Sequence, residues 1–348
     1  MDKIGVGIIG FGRIGAEHAA WLAKTAGIQA VAVADGTPAR QQLAQNRGLR
    51  VYTTVEQLLD DREVTAILVA TPTAMHFEHA MRAIEAQKHV LVEKPMALDL
   101  PQSQQMVNQA AARNVVLSVF QNRRWDLDYL TVRNAVQSGA LGQLINVESR
   151  LGQWSSCVGP AAREYRPNWR NEAAFGGGGF YDWGSHFVDQ MWRLMWPAKP
   201  LRVFAQLRAN VWSRECDDFA RVCIDFDNGV AGLVEINTTT TKPLPRWHLD
   251  GTTGSAQAPY SLEFDLARWA QLDFTPAAGA QTQRLAPATG GLTEVDVWQQ
   301  FAAAIRGQGT PAVDPRSALC TMALLDAARQ SAREGRTVDV TGLVDWVY

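Results

Sequence analysis

Three side chains in this sequence have types and settings suited to proton chemistry: Lys94, Asp182 and His186. Lys94 lies in "VLVEKPMAL", residues 90–98, where an apolar run that reads as a buried strand passes directly into Glu93, Lys94 and Pro95. A lysine held near another positive charge would have its proton affinity lowered, and it could hydrogen-bond an oxygen that changes oxidation state. Pro95 is expected to fix the chain so that the lysine points inward, its peptide bond a candidate for the cis form. The plainer alternative is an ion pair between Glu93 and Lys94. Asp182 and His186 lie in "FGGGGFYDWGSHFVDQMWRLMW", residues 175–196. Its four glycines read as a flexible approach, Asp182 as the N-cap of a helix, and His186 as its neighbour one turn on, with Asp189 and Arg193 extending the stripe. Phe187, Met191, Leu194 and Met195 read as the buried side. A carboxylate one turn from an imidazole raises its proton affinity and orients it, which suits a base that takes a hydroxyl proton; the alternative is a capping aspartate with an ordinary histidine behind it.

The elements that must position these groups are legible upstream. "KIGVGIIG" has the pattern of a parallel strand buried on both faces, and it is followed by Gly10-Phe11-Gly12-Arg13-Ile14-Gly15 and a helical stretch. In that context Gly10 permits a tight turn, Gly12 a close approach of backbone to a pyrophosphate, and Gly15 tight helix–strand packing. The next strand ends in Asp35, twenty residues after Gly15. A carboxylate there can accept from ribose hydroxyls and repel a 2′-phosphate, favouring NAD over NADP, whereas Arg40 could accommodate that phosphate or remain solvated. Strands and helices then alternate through "VTAILVATP", "HFEHAMRAIEAQ", "KHVLVEKP", "LPQSQQMVNQAAARN" and "VVLSVF". This predicts a doubly wound parallel sheet with ligands at the strand carboxyl ends, the rim that carries Thr71, Pro72, Glu93 and Lys94. Together with the loop residues these are the expected cofactor-binding residues, with His76 just beyond. His76 and His79 are expected to be solvated or phosphate-facing, and His18, His89 and His248 isolated.

Length and composition set the bounds. The chain has 348 residues, enough for two domains, with 47% hydrophobic and 20% charged residues and a formal net charge of -2. There is no charge block suggestive of nucleic acid and no run long enough to span a membrane. Cys157, Cys216, Cys223 and Cys320 are widely spaced, so free thiols in a reducing compartment are expected and no metal site. The amino-terminal residues lack the pattern of a secretory signal, and the expected location is cytoplasmic.

With "GIIGFGRIGAEHA", "VATPTAMHFEHA", "LVEKPMAL", "QNRRWDLDYLTVRNAVQSGALGQL" and "GGGGFYDWGSHFVDQMWRL" in this order, the chain resembles the Gfo/Idh/MocA family, the glucose-fructose oxidoreductase and inositol dehydrogenase group. The resemblance covers nearly the whole chain. It implies an N-terminal Rossmann domain, residues 1–120, followed by an α+β domain, residues 121–348, built on an open, mostly antiparallel sheet that joins subunits into a homodimer or homotetramer. The sequence agrees with such a sheet, since "QLINVESRLGQW", "LRVFAQLRANVW", "DFARVCIDFDNGVAGLVEINTT" and "WHLDGTTGSA" read as strands and hairpins with a turn at Asp227-Asn228-Gly229.

The resemblance also implies roles: Lys94 as the active-site lysine, Asp182 and His186 as its acid/base pair, and Gln153 as a polar substrate ligand. Arg123, Tyr165 and Trp169 join these as expected substrate-binding residues. Residues 155–179, with Tyr165, Arg166, Trp169 and the glycine run, are expected to form a lid. Of the twelve tryptophans, Trp125, Trp154, Trp169 and Trp183 fall near the site in sequence and could stack on sugar C–H faces, although core packing is the blander role. The expected activity is an NAD(P)-dependent dehydrogenase or reductase acting on a sugar, glycoside, polyol or inositol. One rival is NAD-dependent, redox-assisted glycoside cleavage with Tyr165 or Tyr181 as acid; the other is a non-catalytic dinucleotide sensor.

Overall fold

A computed structural model of the chain describes residues 3–157, 169–261, 264–279 and 281–348. The first half is a six-stranded parallel sheet built from β1 (Ile4–Ile9), β2 (Ile28–Ala34), β3 (Arg50–Tyr52), β4 (Ala66–Val69), β5 (His89–Glu93) and β6 (Leu117–Phe120), in the order β3-β2-β1-β4-β5-β6. Five helices connect them: α1 (Arg13–Leu22), α2 (Pro38–Asn46), α3 (Val55–Leu59), α4 (His76–Glu85) and α5 (Leu100–Ala112). The apolar strands β1, β4 and β6 are buried throughout, as both-face coverage requires. The strand order reverses at β1 and β4, which opens the crevice over their carboxyl ends where dinucleotides bind in this topology.

The second half opens with α6 (Leu127–Gln137), β7 (Leu144–Gly152), α7 (Ser185–Met195), β8 (Pro200–Arg208), β9 (Phe219–Phe226) and β10 (Ala231–Asn237). It continues with β11 (Leu244–Pro245), β12 (Trp247–Gly251), β13 (Gly254–Gln257), β14 (Tyr260–Ser261), α8 (Leu266–Trp269), β15 (Asp273–Pro276) and β16 (Gln283–Arg284). Last come α9 (Glu294–Ile305), α10 (Pro315–Glu334) and β17 (Val338–Asp339). Nine of these strands form one sheet, β16-β15-β13-β12-β7-β10-β9-β8-β17, antiparallel except where β10 runs parallel to β7. The expected hairpins β9–β10 and β12–β13 are present, the first turning at Asp227-Asn228-Gly229 with Gly229 at φ +84°. Along β9 buried and exposed residues alternate, so one face is covered by α7 and α10 and the other is open.

Two features were not foreseen. The helix α9 returns to the first half and packs Val297, Trp298, Phe301 and Ala302 into the core around α1 and β1. The helix α10, begun by Asp314 and Pro315 and ended by Gly335 at φ +66°, lies between the second sheet, α5 and α7. Among the described residues no helix is long and apolar enough to cross a membrane.

Gly15 marks a close approach of α1 to the glycine loop, because a Cβ there would lie 2.2 Å from the Gly10 carbonyl oxygen. Gly15→Ala should therefore cost about 1–3 kcal/mol in urea unfolding. Gly309→Ala, at a position with nothing within 4 Å, should change the unfolding free energy by less than about 0.5 kcal/mol.

Candidate active site

The glycine loop is shaped by three different demands. Gly10 adopts φ +89°, and a Cβ would crowd the Ala70 carbonyl. At Gly12 a Cβ would meet only the Arg40 guanidinium, 3.8–3.9 Å away, so the loop leaves a cradle that any side chain would partly fill. Gly12 also precedes α1 without a side-chain cap, leaving the helix N–H groups free for an anion. Asp35, directly after β2, accepts from Phe11 N–H at 2.7 Å and Thr37 N–H at 2.8 Å, and Arg40 lies 3.5 Å from it. These features fit the pyrophosphate and ribose of a dinucleotide.

A cleft of about 900 Å³ runs from this loop to the second half. Its lining includes Gly10, Gly12, Arg13, Ile14, Asp35, Arg40, Thr71, Pro72, His76, Glu93 and Lys94 from the first half. From the second come Arg123, Gln153, Trp169, Asp182 and His186. Phe11 is fully buried beneath it and reaches the loop through its backbone. Tyr165 and Arg166 lie outside the described residues.

At the far end of β5, Lys94 turns away from Glu93. Its Nζ donates to Asp182 Oδ1 at 3.0 Å and to the Asp182 carbonyl at 2.9 Å, and the Lys94–Pro95 bond is cis. The alternative reading, a rim ion pair with Glu93, is thus not what forms. Glu93 is buried and takes His18 Nε2 at 2.9 Å and the Lys94 N–H at 3.1 Å. Trp298 Nε1, which can only donate, reaches His18 Nδ1 at 3.1 Å, so the His18 proton sits on Nε2 and is donated to Glu93. Burial raises the Glu93 carboxyl, but His18 and the charge of Lys94 leave it below its ordinary value. His18 is therefore part of a buried relay and not isolated. His89 and His248 also have partners, the Val116 N–H and Asp250.

His76 and His79 are buried, contrary to a solvated role. The His76 ring spans two strand ends, with Nδ1 2.8 Å from the Pro95 carbonyl and Nε2 2.9 Å from the Thr71 carbonyl. Burial lowers its proton affinity, and a neutral ring can donate to only one of the two.

The segment before α7 differs from its sequence reading. Gly176 to Gly179 are buried, with Gly176 at φ +72° and Gly178 at φ +111°. A Cβ on Gly177 would meet the Arg170 carbonyl at 2.4 Å, so these glycines serve close packing, not flexibility. Asp182 is not an N-cap. Phe180–Gly184 form a π-helical turn that runs into α7, and Asp217 accepts the Phe180 N–H at 2.7 Å. Hydrogen bonds from i to i+5 take more residues per turn, so a residue four positions on no longer faces its partner. Asp182 accordingly pairs with Lys94 and lies 3.6 Å from Arg170 Nε, while His186 Nδ1 is buried without a hydrogen-bond partner.

Further along, Asp189 binds Arg124, and Arg193 lies over the Tyr348 ring. All of α7 except Arg193 is buried, so the apolar side foreseen is only part of a helix enclosed nearly all round.

The charges follow this geometry. Burial alone would raise the Asp182 carboxyl, but Lys94 and Arg170 hold it at about 2. His186 is pushed well below the ordinary histidine range by burial and by Lys94, Arg123 and Arg246, so it is neutral at pH 7. Tyr181 is a poor candidate acid, because its hydroxyl donates to the Leu98 carbonyl at 2.6 Å and burial drives its proton affinity up. Gln153 donates to the Ser155 carbonyl at 2.8 Å. Trp169 carries the Arg170 guanidinium 4.3 Å above its ring, and Trp183 carries that of Arg123 at 4.8 Å. Trp125 packs into the core and Trp154 against Trp212, neither in the cleft lining.

Sequence reasoning passed over Arg170, Asp217, Arg246 and the His18–Trp298 contact. Adjacency to Trp169 was the one available signal for Arg170; the others depend on long-range packing.

Asp217 yields a test of this arrangement. Burial and Asp218 push its carboxyl up to about 7 against the pull of the Phe180 N–H. The folded protein then binds a proton that the unfolded chain, titrating near 3.8, releases, so stability falls as pH rises between these values. Asp217→Asn keeps the acceptor and should raise the melting temperature at pH 8, by a stability gain of roughly 1–4 kcal/mol, and far less at pH 4.5. An equal shift at both pH values would rule out this titration.

Relatives align with both halves. The family model described as "Oxidoreductase family, NAD-binding Rossmann fold" matches residues 4–121, and that described as "GFO/IDH/MocA C-terminal domain" matches residues 129–257. The scyllo-inositol 2-dehydrogenase (NADP(+)) IolW of Bacillus subtilis is 27% identical over 65% of this chain and 61% of its own length. The uncharacterized oxidoreductase YdgJ of Escherichia coli is 34% identical over 62% of this chain and 60% of its own. The chain thus spans about 60% of the length of these two relatives. Among solved structures, an NAD-binding protein from Listeria innocua superimposes with a TM-score of 0.86 at 28% identity, covering 98% of both chains.

Proposed function

Since the chain belongs to the Gfo/Idh/MocA oxidoreductase family, we propose that it is an NAD(P)-dependent dehydrogenase or reductase acting on an alcohol carbon of a sugar, glycoside, polyol or inositol. The observation that carries this reading is the meeting of Lys94 with Asp182, beside a neutral His186, in the cleft that continues from the glycine loop. A polyol-type substrate is further supported by the name of the Bacillus relative, a scyllo-inositol dehydrogenase.

Bound nicotinamide would supply the hydride acceptor, and residues of the chain do the rest. The Lys94 ammonium, oriented by two oxygens of Asp182, points a further N–H at the substrate oxygen. His186 takes the hydroxyl proton as the C–H bond gives up its hydride and the carbonyl forms; reduction reverses each transfer. The role of Asp182 is to hold Lys94, not to tune His186. We favour NAD over NADP because Asp35 closes the ribose end of the cleft, with Arg40 already paired to it. Residues 1–120 act as the dinucleotide domain and residues 121–348 as the substrate domain, and the open face of the second sheet would join two copies.

The test follows absorbance at 340 nm with inositols, aldoses and glycosides and either cofactor. Wild-type protein should reduce NAD, and Lys94→Ala and His186→Ala should each lower kcat by roughly 10²–10⁴. Glycoside consumption without net cofactor reduction would replace this reading with redox-assisted cleavage, and a lower KM for NADP would overturn the cofactor preference. A further outcome concerns pH. Because burial and the neighbouring cations push His186 well below the ordinary histidine value of 6.5, kcat/KM for alcohol oxidation should be free of an ordinary histidine limb near 6.5.

A further inference from the structure

The last sixth of the chain sends one carboxylate into the cleft. Glu294, the first residue of α9, is part of the lining together with Arg13, Glu17, Trp21 and Asn122. Asp296, two residues on, completes the capping box with Thr293, and Glu17 pairs with Arg13 at 2.7 Å. The Glu294 carboxylate has no hydrogen bond or ion pair among the described residues.

Its place is fixed from both directions along the chain. Val297, Trp298 and Phe301, three, four and seven positions on, are buried, so Glu294 stands at the open end of the stripe that α9 presses into the first half. One turn away, Trp298 reaches His18 of α1 at 3.1 Å. Before α9, Leu292 packs into the same cluster as Phe120, and a Cβ on Gly291, at φ +153°, would lie 2.9 Å from the Trp125 carbonyl oxygen. The chain therefore enters α9 across the segment that leaves β6. That sets Glu294 on the β6 side of the cleft, with β1 and its glycine loop between it and Asp35.

A carboxylate accepts hydrogen bonds and repels other anions, so it suits the hydroxyls of a dinucleotide and not its diphosphate. Asp35 is the acceptor for the ribose on the β2 side, and the free N–H groups of α1 suit the diphosphate. The remaining ribose, beyond the diphosphate, has two adjacent hydroxyls that match the two oxygens of one carboxylate. We infer that Glu294 accepts from the ribose that carries the nicotinamide, so that a carboxylate reads the sugar on each side of the glycine loop. This inference rests on the reading of the cleft as a dinucleotide site and extends it to a residue outside the Rossmann half. A first-turn carboxylate also steadies a helix through its dipole, but that role predicts no dependence on nucleotide.

The experiment measures calorimetric dissociation constants for NAD, NADH, ADP-ribose and ADP with wild type, Glu294→Ala and Glu294→Gln. ADP-ribose keeps the second ribose without the nicotinamide, and ADP lacks both. Glu294→Ala should weaken NAD, NADH and ADP-ribose by about tenfold, the scale of one charge-assisted hydrogen bond, and leave ADP within about twofold. Glu294→Gln, which keeps an oxygen acceptor without the charge, should lose less. A loss confined to NAD would overturn the inference in favour of a charge contact with the oxidised ring, and a loss shared by NAD and NADH but not ADP-ribose would overturn it in favour of the carboxamide. Equal weakening of ADP, or a lowered melting temperature with every affinity unchanged, would reduce Glu294 to a structural residue of α9. Wild-type protein that binds neither NAD nor NADP would count against the dinucleotide reading itself, whereas NAD binding that Glu294→Ala leaves intact would remove this inference alone.

Discussion

Lys94 and Asp182 are 88 residues apart in sequence and 3.0 Å apart in space, and most of the architecture serves to keep them there. A hydrogen bond of that length between a strand end and a helical turn tolerates little drift, and a site built on regular elements meets that demand better than one built on loops. The lysine is fixed from behind by Glu93, whose second oxygen takes the Lys94 N–H. The aspartate is fixed by three neighbours. Asp217 anchors the start of its turn, Gly178 accepts its N–H, and Ser185 Oγ bonds its carbonyl.

A second layer of polar contacts locks α7 to the chain leaving β6. Arg124 grips Asp189 through two bonds of 2.9 and 2.7 Å, and Thr321 of α10 donates to the same carboxylate while bonding Trp192. Gln190 donates to the Arg123 carbonyl and accepts from the buried Arg246, which also binds Asp128 and Ser149 and stacks on Phe187 at 3.7 Å. Such groups are expensive to bury and more expensive to unpair, since truncating one member leaves a charge inside the protein. The result is a helix whose rotation is set on several sides, and with it the directions of Asp182 and His186.

The sequence conveyed most of the first half because its signals are local. Strand hydrophobicity, the spacing of Gly10, Gly12 and Gly15, and Asp35 twenty residues later each reflect one element and its turn. The β9–β10 and β12–β13 hairpins were legible for the same reason. The start of α7 was misread because an i, i+4 rule assumes α-helical register, and nothing in "FYDWGSH" reveals a π turn. The capping carboxylate, Asp217, lies 37 residues from the Phe180 N–H it accepts, and the His18 that bonds Glu93 comes from α1 and is itself held by Trp298 of α9. Contacts of that kind are decided by tertiary packing, which one sequence does not display.

The return of α9 to the first half has a consequence for how such a chain could be assembled from parts. Trp298 supports His18, His18 supports Glu93, and Glu93 holds the backbone of Lys94, so a residue from the last sixth of the chain steadies a group at the end of β5. Exchange of the two halves at residue 120 between relatives would thus bring a foreign helix against α1 and cut the relay at its root. Interchangeable modules require a boundary that few interactions cross, and this one is crossed by a strap. The second half therefore inherits with its substrate pocket an obligation to the first, and the two sheets are expected to diverge as one unit.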